Sequence, residues 1–171
     1  MLVSLLVGAV RNQIETNFDP LSMLQSLNRR LLGRSHAQAT CLALRLTPDG
    51  AVTLANAGHL PPYRNGKEIP MEGALPLGLM EHTDFSVMQF QLRPGDRLTL
   101  LTDGVIEAQN KKKELFGFDR TNELMQQEKS AAEVAAAVQS FGQQDDLTVL
   151  RIVRDQAVTL IAGAEFAEAS T

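Results

Sequence analysis

The sequence has one cysteine among its 171 residues, a single tyrosine and no tryptophan. One cysteine excludes an intramolecular disulfide, and it also excludes a metal site built from several thiolates. Cys41 lies in the apolar run ATCLALRL, so we interpret it, like the methionines, as a core residue. A chain that uses no disulfide suits a reducing compartment, and we expect a cytoplasmic protein.

Clustered positive charge is also scarce. The chain has 16 lysines and arginines against 20 aspartates and glutamates, which gives a net charge of −4. Its one basic run is three consecutive lysines, residues 111–113, which we expect to form a solvated loop. Nucleic acids and anionic membranes bind surfaces rich in lysine and arginine, so we expect neither as a general partner.

The apolar start of the chain does not fit a signal peptide or a membrane span. In MLVSLLVGAVRNQIE the first positive charge, Arg11, follows the apolar part instead of preceding it. The apolar part is also shorter than the roughly 20 residues that a membrane-spanning helix needs. We predict a buried helix over residues 2–15 and no membrane insertion. Because no capping residue precedes this helix, we expect it to continue a longer protein.

The remaining patterns predict an α+β domain. DPLSMLQSLNRRLLG predicts a helix with Asp19 as its N-cap and Gly33 after its end. The turn TPDG predicts one β-hairpin, and Asn65-Gly66 predicts the tip of another. Further strands are expected in FSVMQFQL, RLTLLTDG and DDLTVLRIVR, and helices in FDRTNELMQQ and SAAEVAAAVQSFG. Since most strands are linked by hairpins, we expect antiparallel sheets rather than a βαβ fold.

Acidic residues occur where two apolar strands meet loops. Asp103 ends RLTLLTD and precedes Gly104, while Asp145 and Asp146 precede LTVLRIV. If these strands are neighbours, Asp103 and Asp145 converge at one edge of the sheet, where two carboxylates repel unless a cation neutralises them. Hard divalent cations prefer oxygen ligands, so the pattern is compatible with a metal site. Two simpler interpretations stay open, namely a common Asp-Gly turn and a solvated or capping pair of aspartates.

The segment LLTDGV also partly matches the D-x-D-G motif of the haloacid-dehalogenase phosphatases. Leu101 occupies the position of the nucleophile in that motif, and the chain lacks a βαβ pattern. Both observations argue against that family.

Four segments resemble, in their order, the bacterial stage-II-sporulation-E-type branch of the metal-dependent (type 2C) serine/threonine phosphatases. They are ATCLALRLTPDGAVTLANAGHLPPYRNGKEIPM, LPLGLM, LRPGDRLTLLTDGVIEAQNKKKELFGFDR and DDLTVLRIVR. We therefore predict a phosphatase domain over residues 1–154 and a C-terminal extension or tail over residues 155–171. The resemblance implies an α-β-β-α sandwich with two metal ions, usually Mn²⁺ or Mg²⁺, and hydrolysis of phosphoserine or phosphothreonine by a water that bridges them.

The resemblance also implies roles for individual residues. Asp103 and Asp145 correspond to metal ligands of the family, and Asp146 and Gly104 stand beside them in supporting positions. In this family no protein nucleophile is required, which agrees with the lack of a Ser-His-Asp or Cys-His arrangement.

The segment NAGH allows two interpretations. Asn56 and His59 could contact the substrate phosphate or a water near the metal. They could instead satisfy backbone groups at a strand end, and we favour this structural role.

Family members carry a G-D-x-S-G-x-G segment before the first helix, and its aspartate bridges both metals. The 171 residues do not contain that segment. We therefore expect the N-terminal strands of the sandwich to be missing, at most one weakly bound metal, and poor hydrolysis or none by this chain alone. Uncovered sheet edges would also favour a homodimer.

Two functions follow from these observations. The first is a phosphatase of bacterial signalling that acts on a phosphorylated regulatory protein, such as an anti-sigma-factor antagonist. The second is a catalytically silent, phosphatase-like module that binds a phosphoprotein partner. The pair Asp103 and Asp145 favours the first, since a purely binding module has no need of it, while the absent bridging aspartate favours the second for this chain.

Overall fold

The computed structural model describes residues 7–8, 10–11, 19–34, 37–142 and 145–155. Most of the helix predicted over residues 2–15 and of the tail 155–171 lies outside these ranges. The described elements, in chain order, are α1 (Pro20–Leu31), β1 (Cys41–Leu46), β2 (Ala51–Ala57), β3 (Tyr63–Arg64), β4 (Lys67–Glu68), β5 (Ser86–Gln91), β6 (Arg97–Leu101), the 3-10 turn Asp103–Val105, α2 (Gly117–Gln126), α3 (Ala131–Phe141) and β7 (Val149–Val153). Within the described ranges, no helix has the length and apolar character that crossing a bilayer requires.

The strands form two antiparallel sheets. Their orders are β1-β2-β5 and β4-β3-β6-β7. β6 and β7 are direct neighbours, with Leu101 opposite Val149 at one end and Arg97 opposite Val153 at the other. The end of β6 and the start of β7 therefore share one edge of the second sheet, which is the arrangement that the convergence of Asp103 and Asp145 requires.

Three apolar clusters separate four layers. The cluster around Leu24 lies between α1 and the first sheet. The cluster around Leu54 lies between the two sheets. The cluster around Val138 lies between the second sheet and the helices α2 and α3. The α-β-β-α order and the antiparallel sheets confirm the predicted fold class, and burial of these apolar faces is the main stabilising contribution.

Local sequence signals account for the ends of the elements. The Asp19 carboxylate accepts a hydrogen bond from the Ser22 N–H at 2.9 Å, and Pro20 occupies the first helical position of α1. Asn65 and Gly66 have φ values of 50° and 78°, the left-handed conformation that a two-residue hairpin turn requires. The cap of α1 and the second hairpin thus form where the sequence predicts them.

Candidate active site

The candidate site lies where β6 ends and β7 begins. The Thr102 N–H donates to the Thr148 carbonyl oxygen at 3.1 Å, and the Thr148 N–H donates to the Thr102 hydroxyl oxygen at 2.8 Å. These two bonds extend the β6–β7 pairing beyond the strand ends. They bring Asp103, which follows Thr102, next to the loop that carries Asp145 and Asp146.

Gly104 allows the two acidic loops to touch. A β-carbon on Gly104 would lie 2.4 Å from the backbone oxygen of Asp146, closer than real side chains approach such an atom. Gly104 is buried. The glycine of the TDG motif is therefore required by the neighbouring backbone, and any larger residue would separate the loops.

The three aspartates are exposed to solvent at this end of the sheet. One carboxylate oxygen of Asp103 accepts from the Gly104 N–H at 3.0 Å, and one of Asp145 accepts from the Asp146 N–H at 2.7 Å. These local bonds restrict the orientation of both carboxylates without burying them. Carboxylate oxygens are the donors that Mn²⁺ and Mg²⁺ prefer, so this end of the sheet offers suitable chemistry for part of a divalent-metal site.

The number of possible ligands at this end is small. Among the described residues, no group of three or more histidine, cysteine, aspartate or glutamate side chains is arranged to hold an ion. Asp103 and Asp145 alone would not close a coordination shell, and their role as metal ligands stays a prediction from the sequence.

A cleft of about 470 Å³ opens beside the acidic loops. Asp145 and Gly104 line it, together with Glu107, Gln109 and Leu115, which sequence reasoning missed. The Glu107 N–H donates to the Asp103 carbonyl oxygen at 2.9 Å, so one helical turn separates the two acidic residues. The sequence spacing of four residues is compatible with such a turn.

Asn56 organises the end of β2. Its side chain is 3% exposed and makes two bonds to the backbone of His59. The Asn56 amide nitrogen donates to the His59 carbonyl oxygen at 2.9 Å, and its amide oxygen accepts from the His59 N–H at 2.8 Å. Asn56 thus satisfies backbone groups and fixes the turn that carries His59.

The His59 imidazole reaches the acidic end of β6. Burial lowers its pKa, while the negative charge of Asp103 and a hydrogen bond with the Leu101 backbone act in the opposite direction. Its Nδ1 atom also lies 3.4 Å from the Thr40 hydroxyl oxygen. The structure therefore places His59, from the loop after β2, at the same end of the sandwich as Asp103.

Comparisons with known proteins agree with this architecture. Protein IcfG of Synechocystis sp. is 28% identical over 120 residues, which are 63% of this chain and 19% of that protein. The structure of the RsbU and RsbW domains of a Mycobacterium tuberculosis protein matches with a TM-score of 0.72 and 24% identity, over 90% of this chain and 47% of that one. The chain thus spans about a fifth of the curated relative and about half of this structure.

A second solved structure extends the match to almost the whole chain. The phosphatase domain of SpoIIE from Bacillus subtilis, presoaked with manganese, matches with a TM-score of 0.57 and 19% identity, over 98% of this chain and 78% of that one. The family model described as "Stage II sporulation protein E (SpoIIE)" matches residues 1–155. The α-β-β-α sandwich is the fold of that phosphatase domain, and this chain belongs to the stage II sporulation protein E family.

Proposed function

We propose that the chain acts in a metal-dependent phosphoserine and phosphothreonine protein phosphatase of bacterial signalling. The observation that carries the proposal is the contact between the two acidic loops, in which Gly104 lies against the backbone of Asp146 and Thr102 is bonded to Thr148. Membership of the SpoIIE family supports it. The proposed substrate is a phosphorylated cytoplasmic regulatory protein, such as an anti-sigma-factor antagonist.

Asp103 and Asp145 are the residues of this chain that would hold the proposed Mn²⁺ or Mg²⁺. When bound, such an ion neutralises phosphate charge and makes water acidic enough to supply hydroxide near neutral pH. The family's two-ion centre would need the bridging aspartate of the G-D-x-S-G-x-G segment in addition. Manganese is the natural first probe, because the Bacillus subtilis SpoIIE phosphatase domain was presoaked with it.

The protein's own groups hold this site in position. Asp103 follows Thr102, whose backbone and hydroxyl are bonded to Thr148 beyond the β6–β7 pairing, so its backbone has little freedom to lose when a ligand binds. The Asp146 N–H fixes one oxygen of Asp145. His59 lies at the same end of the sandwich, and its imidazole N–H can donate a hydrogen bond to a phosphate oxygen there.

The test is hydrolysis of p-nitrophenyl phosphate and of a phosphoserine peptide with Mn²⁺ present. We expect slow, Mn²⁺-dependent turnover that stops with EDTA and is lost in Asp103→Asn and Asp145→Asn. Asp155→Asn is the matched control, because Asp155 is an exposed aspartate beyond the other end of β7. Turnover that survives both EDTA and Asp103→Asn would refute the proposal. Phosphopeptide binding without any turnover would identify the silent, partner-binding module instead.

A further inference from the structure

A short hairpin with lysines at its tip lies beside the candidate site. Gln109 and Leu115 form an antiparallel bridge at its base, and both residues line the cleft next to Asp145. Residues 111–113 at its tip are three exposed lysines. We refer to residues 109–115 as the lysine hairpin.

The tip of the lysine hairpin is held by its own hydrogen bonds. The Asn110 side-chain oxygen accepts from the N–H groups of Lys112 and Glu114 at 2.9 and 3.0 Å. The Asn110 amide nitrogen donates to the Glu114 carboxylate at 2.7 Å, and the Lys113 N–H donates to the Asn110 carbonyl oxygen at 2.9 Å. The lysines therefore extend from an ordered turn, and a ligand that binds them need not order this backbone first.

The base of the lysine hairpin is fixed to the domain. The Arg120 guanidinium donates to the Leu115 carbonyl oxygen at 2.7 Å and lies 5.1 Å from the centre of the Phe141 ring. On the other strand, the backbone of Gln109 packs so closely on Gly142 that a β-carbon there would lie 2.1 Å from the Gln109 oxygen. The position of the three lysines relative to the cleft is thus set by the fold.

The charge of the tip is not neutralised within the described part of the chain. The two ion pairs found there are Arg64 with Asp96 and Arg97 with Glu128, and neither involves residues 111–113. The nearest carboxylate in sequence, Glu114, is bonded by Asn110. Three adjacent positive charges that no carboxylate of the described residues pairs with create a local positive potential at this tip, although the net charge of the chain is −4.

We propose that the lysine hairpin docks acidic residues that flank the phosphorylated residue of a phosphoprotein substrate. The proposal rests on the function proposed above and adds a substrate preference to it. Lys113 at the tip is two residues from Leu115 in the cleft, so their backbones are at most roughly 7 Å apart. A phosphoserine in the cleft would therefore place its neighbours two to four positions away within reach of the lysines. Leu115, which is 50% exposed, offers an apolar contact between the two.

An extended polyanion fits this surface less well. Nucleic acids and anionic membranes need a broad basic surface, whereas the lysine hairpin is bordered by the exposed acidic residues Glu107 and Asp145. These carboxylates would repel a continuous row of phosphates but leave room for a few acidic side chains at the tip.

Binding of fluorescein-labelled phosphoserine peptides, followed by anisotropy, tests the docking without relying on turnover. One peptide carries aspartate and glutamate two to four positions from the phosphoserine, and the other carries asparagine and glutamine there. We expect the acidic peptide to bind roughly tenfold more tightly at low ionic strength, since three exposed charge pairs act together, and the difference to shrink with salt. The variant K111Q/K112Q/K113Q should bind both peptides alike.

The matched control is R45Q/K67Q/R93Q, which removes three exposed cations toward the opposite ends of the strands. It should keep the preference for the acidic peptide. Equal binding of both peptides by the wild-type chain, or equal losses in the two triple variants, would overturn the proposal. Tight binding of double-stranded DNA through the same lysines would overturn it as well.

Hydrolysis of p-nitrophenyl phosphate separates this inference from the proposed function. This substrate has no flanking residues, so K111Q/K112Q/K113Q should hydrolyse it as the wild type does. Loss of peptide preference with unchanged hydrolysis supports docking, whereas absence of hydrolysis in every variant bears on the phosphatase proposal alone.

Discussion

The backbone oxygen of Asp146 lies 2.4 Å from the point where a β-carbon on Gly104 would stand. Gly104 belongs to the loop after β6, and Asp146 belongs to the loop before β7. The contact is between backbones, so no side-chain rotation can relieve it. The spacing of the two acidic loops therefore depends on the absence of a side chain at residue 104.

We expect Gly104→Ala to lower the free energy of unfolding by roughly 2 kcal/mol, because overpacking of a closed contact typically costs that much. It should also weaken Mn²⁺ binding, since the loops that carry Asp103 and Asp145 must move apart. Urea unfolding and a Mn²⁺ titration measure the two effects. Gly73→Ala is the control, as a β-carbon there meets nothing within 4 Å. Equal effects in both variants would count against a specific role of Gly104.

A titration with Mn²⁺ should reveal at most one weak site in this chain. Asp103 and Asp145 supply only some of the six oxygen ligands that an octahedral ion takes, so water must supply the rest. Isothermal titration calorimetry measures both stoichiometry and affinity. Two tight sites would contradict the prediction, and heat that is unchanged by Asp103→Asn would place the ion elsewhere.

Removal of the Asn56 side chain should loosen the turn that carries His59. Asn56→Ala leaves the half-buried N–H and carbonyl groups of His59 without their partners, which should cost up to about 1–3 kcal/mol, the cost of a fully buried unsatisfied group. We expect a lower midpoint of thermal unfolding and a shift of the His59 ring signals in NMR spectra. Gln139→Ala, on the exposed face of α3, should change neither.

Asp96, at the other end of the second sheet, should make the stability of the protein depend on pH in the acidic range. The Arg93 N–H, the Asn65 amide and the Arg64 guanidinium together lower its pKa from 3.8 to about 2. A carboxyl whose pKa is lower in the folded state than in the unfolded state stabilises the protein fully when the pH is above its unfolded-state pKa. This contribution is lost as the pH falls to the folded-state pKa.

The measurement is the difference in unfolding free energy between wild type and Asp96→Asn at a series of pH values. The difference should be largest above about pH 4 and should shrink down to about pH 2, as linkage requires. A difference that stays constant across this range would show that the hydrogen bonds of Asp96 do not lower its pKa.

Turns and strand ends could be predicted from the sequence because their signals are local. Asn65-Gly66 forms the hairpin tip, and Asp19 caps α1, since each depends on its own neighbours in the chain. The approach of the loops that carry Asp103 and Asp145 also follows, once β6 and β7 are taken as neighbours.

Contacts between distant loops could not be predicted in this way. His59 comes to the end of the sandwich that holds Asp103 from the loop after β2, in the other sheet, and no periodicity reports such an approach. Glu107 and Leu115 join the cleft because the chain reverses after the TDG motif and again at the lysine hairpin. The sequence shows residues 111–113 only as a basic run and does not reveal that they lie near the cleft. Their position beside the cleft depends on the anchors Arg120 and Gly142.

The bond between Thr102 and Thr148 joins residues that are 46 positions apart. Closing a loop of that length costs conformational entropy that only the completed contacts repay, and such long-range pairings tend to form late in folding. The helices α2 and α3 lie within this loop and can form from local contacts. We therefore expect the two acidic loops to meet only after both helices have docked, so that metal binding would report on completed folding of the C-terminal half.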